Sequence, residues 1–179
     1  MFRQLSRFTQ ICLAVILFSF ASLANAAPEV GKTYYTKHNF KFERGRHVTT
    51  NYWRGELISI NSKAKVVSFG GKKMVLEING QNITILNVAK HSKKSLEQVA
   101  DNLLSTKPVS IGGKFANDIK FGNLRLGMTK KQAIMTRGYP PAHKTPSTES
   151  NFWVYWSSKF VQLSIAFENG KINRGRGLH

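Results

Sequence analysis

Acidic side chains and cysteine are what this 179-residue chain has least of: nine Asp and Glu stand against 27 Lys and Arg, and Cys12 is the single cysteine. So few carboxylates disfavour the paired acids on which two-metal hydrolysis and glycoside cleavage depend. Beyond Cys12 there is no sulfur for a disulfide, a thiol nucleophile or a thiolate metal site. The histidines, His38, His47, His91, His143 and His179, are scattered, with no pair four residues apart on a helix, and read as solvent-facing or loop residues. Missing too are a Gly-x-Ser-x-Gly elbow, a P-loop and a dinucleotide glycine pattern. These absences lead to the expectation of a protein that is not an enzyme, with no catalytic residues, no cofactor and no metal.

What is there begins with a leader. Arg3 and Arg7 precede an apolar run at 11–23, and Ala24-Asn25-Ala26 has the small-x-small pattern of a signal-peptidase site. Residues 1–26 are therefore expected to be a signal peptide cut after Ala26. The run is shorter than the ~20 apolar residues a bilayer span needs, so no transmembrane span is expected once it is removed. Cys12 lies inside the run behind Thr9-Gln10-Ile11, a poor lipobox, so no lipid anchor is expected either. Loss of Arg3 and Arg7 with the leader leaves 25 cations against the same nine acids, a formal +16. With 41% hydrophobic and 20% charged residues overall, the chain has enough apolar side chains for a core.

Two halves differ in period. Residues 32–36, 54–60, 64–69, 74–78 and 82–88 read as short strands, with Gly70-Gly71 and Asn79-Gly80 as turns between the last three. Asn-Gly between alternating runs signals a two-residue hairpin, because both central residues of a type I′ turn need positive φ. From Ser92 onward, Leu96, Val99, Ala100, Leu103 and Leu104 fall on one helical face, with Ser95 and Gln98 spaced as a capping box. The Gly- and Pro-containing stretch 105–118, centred on Gly112-Gly113, reads as a linker between a β-rich domain at 27–104 and an α+β domain at 119–179. In the second domain Thr129 caps a helix over 130–137, Gly138 ends it in a left-handed conformation, and strands follow at 152–156, 160–167 and 171–173 around an Asn169-Gly170 turn.

The order Leu126-Gly127-Met128-Thr129-Lys130-Lys131-Gln132, Gly138-Tyr139-Pro140-Pro141, Trp153-Val154-Tyr155-Trp156 and Phe167-Glu168-Asn169-Gly170-Lys171 resembles the SmpA/OmlA (BamE-like) domain family over residues 112–174. The resemblance implies helices packed on a three-stranded antiparallel sheet, a place in the Gram-negative envelope, and interaction instead of catalysis. Through Gly31-Lys32-Thr33-Tyr34-Tyr35, Gly55-Glu56-Leu57-Ile58 and the two hairpins, the first half resembles, more loosely, bacterial SH3-like barrels. The expected fold class is α+β: a small antiparallel β-barrel with a helix, then the sheet-and-helix domain.

Two groups of residues are candidates for binding. On a strand at 152–156, Phe152, Val154 and Trp156 share one face and Trp153 and Tyr155 the other. One face is core, and Trp153 and Tyr155 with Tyr52 and Trp53 form a candidate aromatic platform. Cations are the stronger signal, since a charge of +16 repels itself and is tolerated for a reason. Arg125, Lys130, Lys131 and Arg137, on or beside one short helix, form the candidate patch for an anionic partner. Export disfavours nucleic acid, leaving lipopolysaccharide, phospholipid headgroups or an acidic envelope protein. The leading expectation is an exported, non-enzymatic binding protein at the periplasm or outer-membrane periphery. The alternative is a secreted inhibitor or wall-binding module that clamps a protein or glycan through aromatic strands.

Overall fold

The structure is a computed structural model that describes residues 26–178. Residues 1–25, which carry the expected leader up to Ala26, lie outside the described residues, as does His179. The first half contains β1 (Thr33–Thr36), β2 (Phe40–Phe42), β3 (Arg46–Val48), β4 (Glu56–Ile58), β5 (Lys63–Gly70), β6 (Lys73–Ile78) and β7 (Gln81–Leu86), then α1 (Ala89–Ser92), α2 (Leu96–Leu103) and β8 (Leu104–Ser105). The second half contains α3 (Ala116–Phe121), α4 (Lys130–Arg137), β9 (Phe152–Trp156), β10 (Gln162–Glu168) and β11 (Lys171–Gly175). Six strands form a curled sheet in the order β3-β7-β6-β5-β1-β8, β2 pairs with β4, and β11-β10-β9 form a three-stranded antiparallel sheet. The class is α+β.

Alternation builds the curled sheet. Ala64, Val66, Met74, Leu76, Ile78, Ile83 and Ile85 point inward, each at most 1% exposed, while Lys63, Lys65, Glu77 and Asn82 face out. A register shift between Val66 and Ser68 interrupts the β5–β6 ladder, and a bulge of this kind sharpens the local twist that curls a sheet. Asn79 and Gly80 have φ of 53° and 75° and bring Ile78 opposite Gln81, the two-residue hairpin expected. Helix α2 starts on the reciprocal Ser95–Gln98 box, and Val99, Ala100 and Leu103 join the sheet's core. The strands 40–42 and 46–48 were not expected. β3 runs parallel to β7 at the sheet edge, and its Arg-His-Val sequence carries no alternation that would have marked it.

A second core lies under the three-stranded sheet, where Trp153, Tyr155, Ile165, Phe167 and Ile172 meet Ile119, Leu124, Met128, Ala133 and Met135. Helix α4 begins on a Thr129–Gln132 capping box, as its sequence implies. Its end is closed by the other half of the molecule. The Ile134 carbonyl accepts from Gly138 N–H at 2.6 Å and the Met135 carbonyl from Asn39 N–H at 3.0 Å. Asn39 Nδ2 donates to Thr136 O at 3.0 Å, and Asn51 Nδ2 donates to Arg137 O at 2.7 Å. Asn39 is fully buried, its Oδ1 accepting from Ile60 N–H at 2.6 Å, and Ile60 itself packs in the second core.

The 105–118 segment is more tightly held than a linker. Val109 and Ile111 pack against the second core, Phe115 is buried, and Asn61 clamps Val109 by donating to its carbonyl at 2.8 Å and accepting from its N–H at 2.7 Å. Gly138 also corrects an expectation. Its φ of 72° is positive but its ψ is −172°, so it is not a left-handed cap; it occupies a region that glycine alone adopts cheaply. A Cβ there would lie 2.9 Å from His38 Nδ1.

Gly138→Ala should therefore cost about 1–3 kcal/mol in urea unfolding, and a change within ~0.5 kcal/mol would contradict the strain and contact together. Asn61→Ala should release the 105–118 segment, seen as new proteolytic cuts there at protease levels that leave the wild type whole.

Candidate functional site

The structure disperses the four expected patch cations. Arg137, 3% exposed, lies with its guanidinium 4.4 Å from the Trp53 ring centre and its Nε donating to Gly122 O at 3.1 Å. The close approach needs glycine at 122, where a Cβ would come within 2.5 Å of Trp53 Cζ2. Burial lowers the Arg137 pKa to about 10, the nearby Tyr155 acting weakly the other way, so it is still a cation at neutral pH. It is a packing residue and leaves the patch. Arg125 is ion-paired through Nε to Asp118 Oδ1 at 2.7 Å, Lys130 Nζ donates to Glu149 O, and Lys131 stands exposed on α4.

The aromatic platform is corrected as well. Trp153 and Tyr155 are 0% and 2% exposed, with Trp153 Nε1 donating to Ser150 O and the Tyr155 hydroxyl to Gly138 O, both at 3.0 Å. Burial pushes the Tyr155 hydroxyl pKa well up. This face of β9 is the core face because α3, α4 and the residues between them pack on it, beside Ile165 and Phe167 of the neighbouring β10. Tyr52 and Trp53 are half-buried, Tyr52 edge-on to Trp156 at 6.4 Å and Trp53 engaged by Arg137.

A different site appears where the 139–148 loop faces the first half. A cleft of about 240 Å³ opens there, with His38, His47, Asn51 and Tyr139 in its wall and Lys93 and Lys94 in its lining. His38 and His47 are each 8% exposed, contrary to the expected solvent-facing histidines. Their Nδ1 atoms lie 2.8 Å from Asn39 O and Lys41 O. A ring nitrogen facing a carbonyl must carry the hydrogen, which leaves each Nε2 as a lone-pair acceptor. Burial is the main cause that holds both imidazoles down at about 4, the backbone hydrogen bonds acting weakly the other way, so both are neutral near pH 7. Asn51 Nδ2 is committed to Arg137 O and Tyr139 O, which fixes the amide orientation, and its buried Oδ1 has no partner among the described residues.

The cleft mouth is basic. Ser92 Oγ donates to Asn87 Oδ1 and Asn87 Nδ2 to Lys94 O, locking the end of α1, where Lys93 takes a φ of 55°. His143 N–H donates to His91 O at 3.1 Å and the two rings lie 4.5 Å apart. Burial first, then His143, Lys90 and Lys93 lower the His91 pKa, and the exposed Lys144 follows His143 in the chain. No carboxylate lines the cleft; the Asp101 charge is a secondary influence on Tyr139, whose hydroxyl pKa is raised mainly by burial. Acceptors inside and ammonium groups outside suit a ligand with hydroxyl or amide donors and a negative charge. Sequence reasoning passed over His38, His47 and Asn51 because they come from separate loops and strands with no shared spacing. The one available signal was the cation cluster at Lys90, Lys93 and Lys94.

Comparison with protein-family models, curated proteins and solved structures finds no match to this chain.

The neutral histidines set a pH dependence. Both titrate near 6.5 when unfolded and about 4 when folded, so between those values the unfolded chain holds more protons and stability falls as pH falls. The expected loss is up to ~1.4 kcal/mol per pH unit for each histidine, absent above the window and no longer growing below it. Urea midpoints measured from pH 7.5 to pH 4 should show it, and His47→Phe should remove about half of the slope that the histidines contribute. A flat profile between pH 6.5 and 5 would contradict it.

Proposed function

We propose that this protein is an exported, non-enzymatic binding protein of the Gram-negative envelope, which docks to an anionic outer-membrane component, lipopolysaccharide or phospholipid headgroups, through the basic mouth of its cleft. The observation that carries this reading is the pair Lys93 and Lys94 in the cleft lining, with Lys90 next to His91 and the exposed Lys144 next to His143, whose ring lies against that of His91; none of the four is ion-paired among the described residues. Near an anionic membrane each such cation contributes about 1 kcal/mol, within a Debye length of ~8 Å in physiological salt. Phe160 and Val161, 85% and 49% exposed on the β9–β10 connection beside Lys159, add apolar surface suited to a lipid interface.

The second half is read as a module of the SmpA/OmlA kind and the first as SH3-like, with a role in envelope assembly or maintenance. Support for the former is the order α4, Gly138 to Pro141, β9, β10, β11 on an antiparallel three-stranded sheet. For the latter it is the small curled sheet, from which the parallel β3–β7 pair departs. Among the described residues no helix is long and apolar enough to cross a membrane. The alternative of an aromatic clamp loses its best residues with the burial of Trp153 and Tyr155.

Replacing Lys90, Lys93, Lys94 and Lys144 together with Gln should weaken retention on phosphatidylethanolamine vesicles containing phosphatidylglycerol, or on lipopolysaccharide, about 100-fold or more at low salt. Substituting Arg125, Lys130 and Lys131 should matter much less. Equal retention of the wild type and the cleft-mouth variant, at low and physiological salt, would end this reading.

A further inference from the structure

The interior of the cleft has a chemistry that membrane docking alone does not explain. Its lining holds Asn51, whose buried Oδ1 has no partner among the described residues, and His38 and His47, whose Nε2 atoms are left as acceptors because each Nδ1–H is given to a carbonyl. An unpaired buried acceptor costs roughly 1–3 kcal/mol, and folded proteins keep few of them. Asn51 cannot relieve the cost by rotating its amide, since that would set an oxygen against the carbonyls of Arg137 and Tyr139. Neither imidazole can present a donor at Nε2 by exchanging tautomers, since each Nδ1–H is held by a carbonyl. The wall therefore asks for a ligand rich in donors.

Two classes of donor-rich or electron-poor ligand compete for such a wall. A metal cation would use imidazoles backed in this way. Yet among the described residues no third His, Cys, Asp or Glu joins them, and Lys93 and Lys94 would repel it. A polyol satisfies acceptors through hydroxyls, and Tyr139, Pro140 and Pro141 supply apolar surface for the C–H face of its ring. The volume, about 240 Å³, is below the ~300–1,000 Å³ of pockets for drug-sized ligands, which limits the occupant to about one ring. Lys93 and Lys94, with no carboxylate in the lining, call for an anion on that ring.

We propose that the cleft is a binding site for one phosphorylated sugar ring, its hydroxyls donating to Asn51 Oδ1 and to His38 and His47 Nε2 and its phosphate lying at Lys93 and Lys94. This deepens the docking reading and rests on it for the phosphate alone. The phosphorylated sugar comes either free or as the headgroup sugar of lipopolysaccharide.

The test titrates the whole mature chain with glucose 1-phosphate, glucose and inorganic phosphate, by calorimetry and by amide and imidazole NMR. Glucose 1-phosphate is expected to bind at least tenfold tighter than either fragment and to move the signals of His47, Asn51 and Tyr139. His47→Phe should lose at least tenfold in that affinity while keeping vesicle retention, since no cation of the cleft mouth changes. Tyr139→Ala serves the same purpose should the first variant fail to fold. Lipopolysaccharide that displaces bound glucose 1-phosphate identifies the lipid as the source, and failure to displace it identifies the free sugar. Glucose 1-phosphate binding no tighter than inorganic phosphate, shifts confined to residues outside the cleft, or a zinc titration that moves both histidines and blocks the sugar would each overturn the site. Vesicle retention that survives such a result leaves the docking reading standing, and loss of retention with the cleft titration intact removes docking alone.

Discussion

The four carbonyls at the end of helix α4 have no partner within their own helix, and how they are satisfied organises the molecule. Gly138 takes one, the Asn39 backbone and side chain take two, and Asn51 takes the last. Three of the four therefore depend on the first half of the chain. Docking buries Asn39 completely, sets Ile60 into the second core, and lays the loop carrying Trp53 across Arg137 and Gly122. Asn39 joins Ile60 N–H to the Ile119 and Thr136 carbonyls and Asn51 holds the Arg137 and Tyr139 carbonyls, so neither sheet is indifferent to the other.

The same contact makes the cleft. Asn51, in the cleft lining, is tied by Nδ2 to Arg137 O and Tyr139 O, which leaves its buried Oδ1 without a partner among the described residues, and the 139–148 loop is held opposite β3 and α2. His38 is drawn against Gly138, which has room for it only because it lacks a Cβ. Asn51, which helps to close the helix end, is also the residue that leaves an acceptor unspent in the cleft lining.

Charge is handled in two ways. Arg137 is taken out of water without a carboxylate, its guanidinium spread over the Trp53 face and its Nε given to a carbonyl, an arrangement open to Arg's flat, weakly hydrated head and not to Lys. Most other cations remain at the surface, and only three ion pairs occur among the described residues. Their mutual repulsion is relieved by an anionic surface, which links the composition to the proposed docking.

Legibility in the sequence followed the range of the interaction. Hairpins at Asn79-Gly80 and Asn169-Gly170, capping boxes at Ser95 and Thr129, and the alternation of β5, β6 and β7 are set by residues within a few positions of one another, and each was readable. Which face of β9 is core was open, because Phe152-Trp153-Val154-Tyr155-Trp156 is apolar on both sides, and only the packing of the helices on the sheet decided it. Arg137 looked like a surface cation because nothing near it in sequence announces Trp53, and β3 went unseen because it borrows its register from β7. By itself the sequence determined the α+β class, the strong positive charge and the local turns and caps, since these depend on composition and short spacing. The burial of His38, His47 and Arg137, the closing of α4 by Asn39 and Asn51, and the cleft between them were decided only by the tertiary structure, because each depends on segments far apart in the chain being packed against one another.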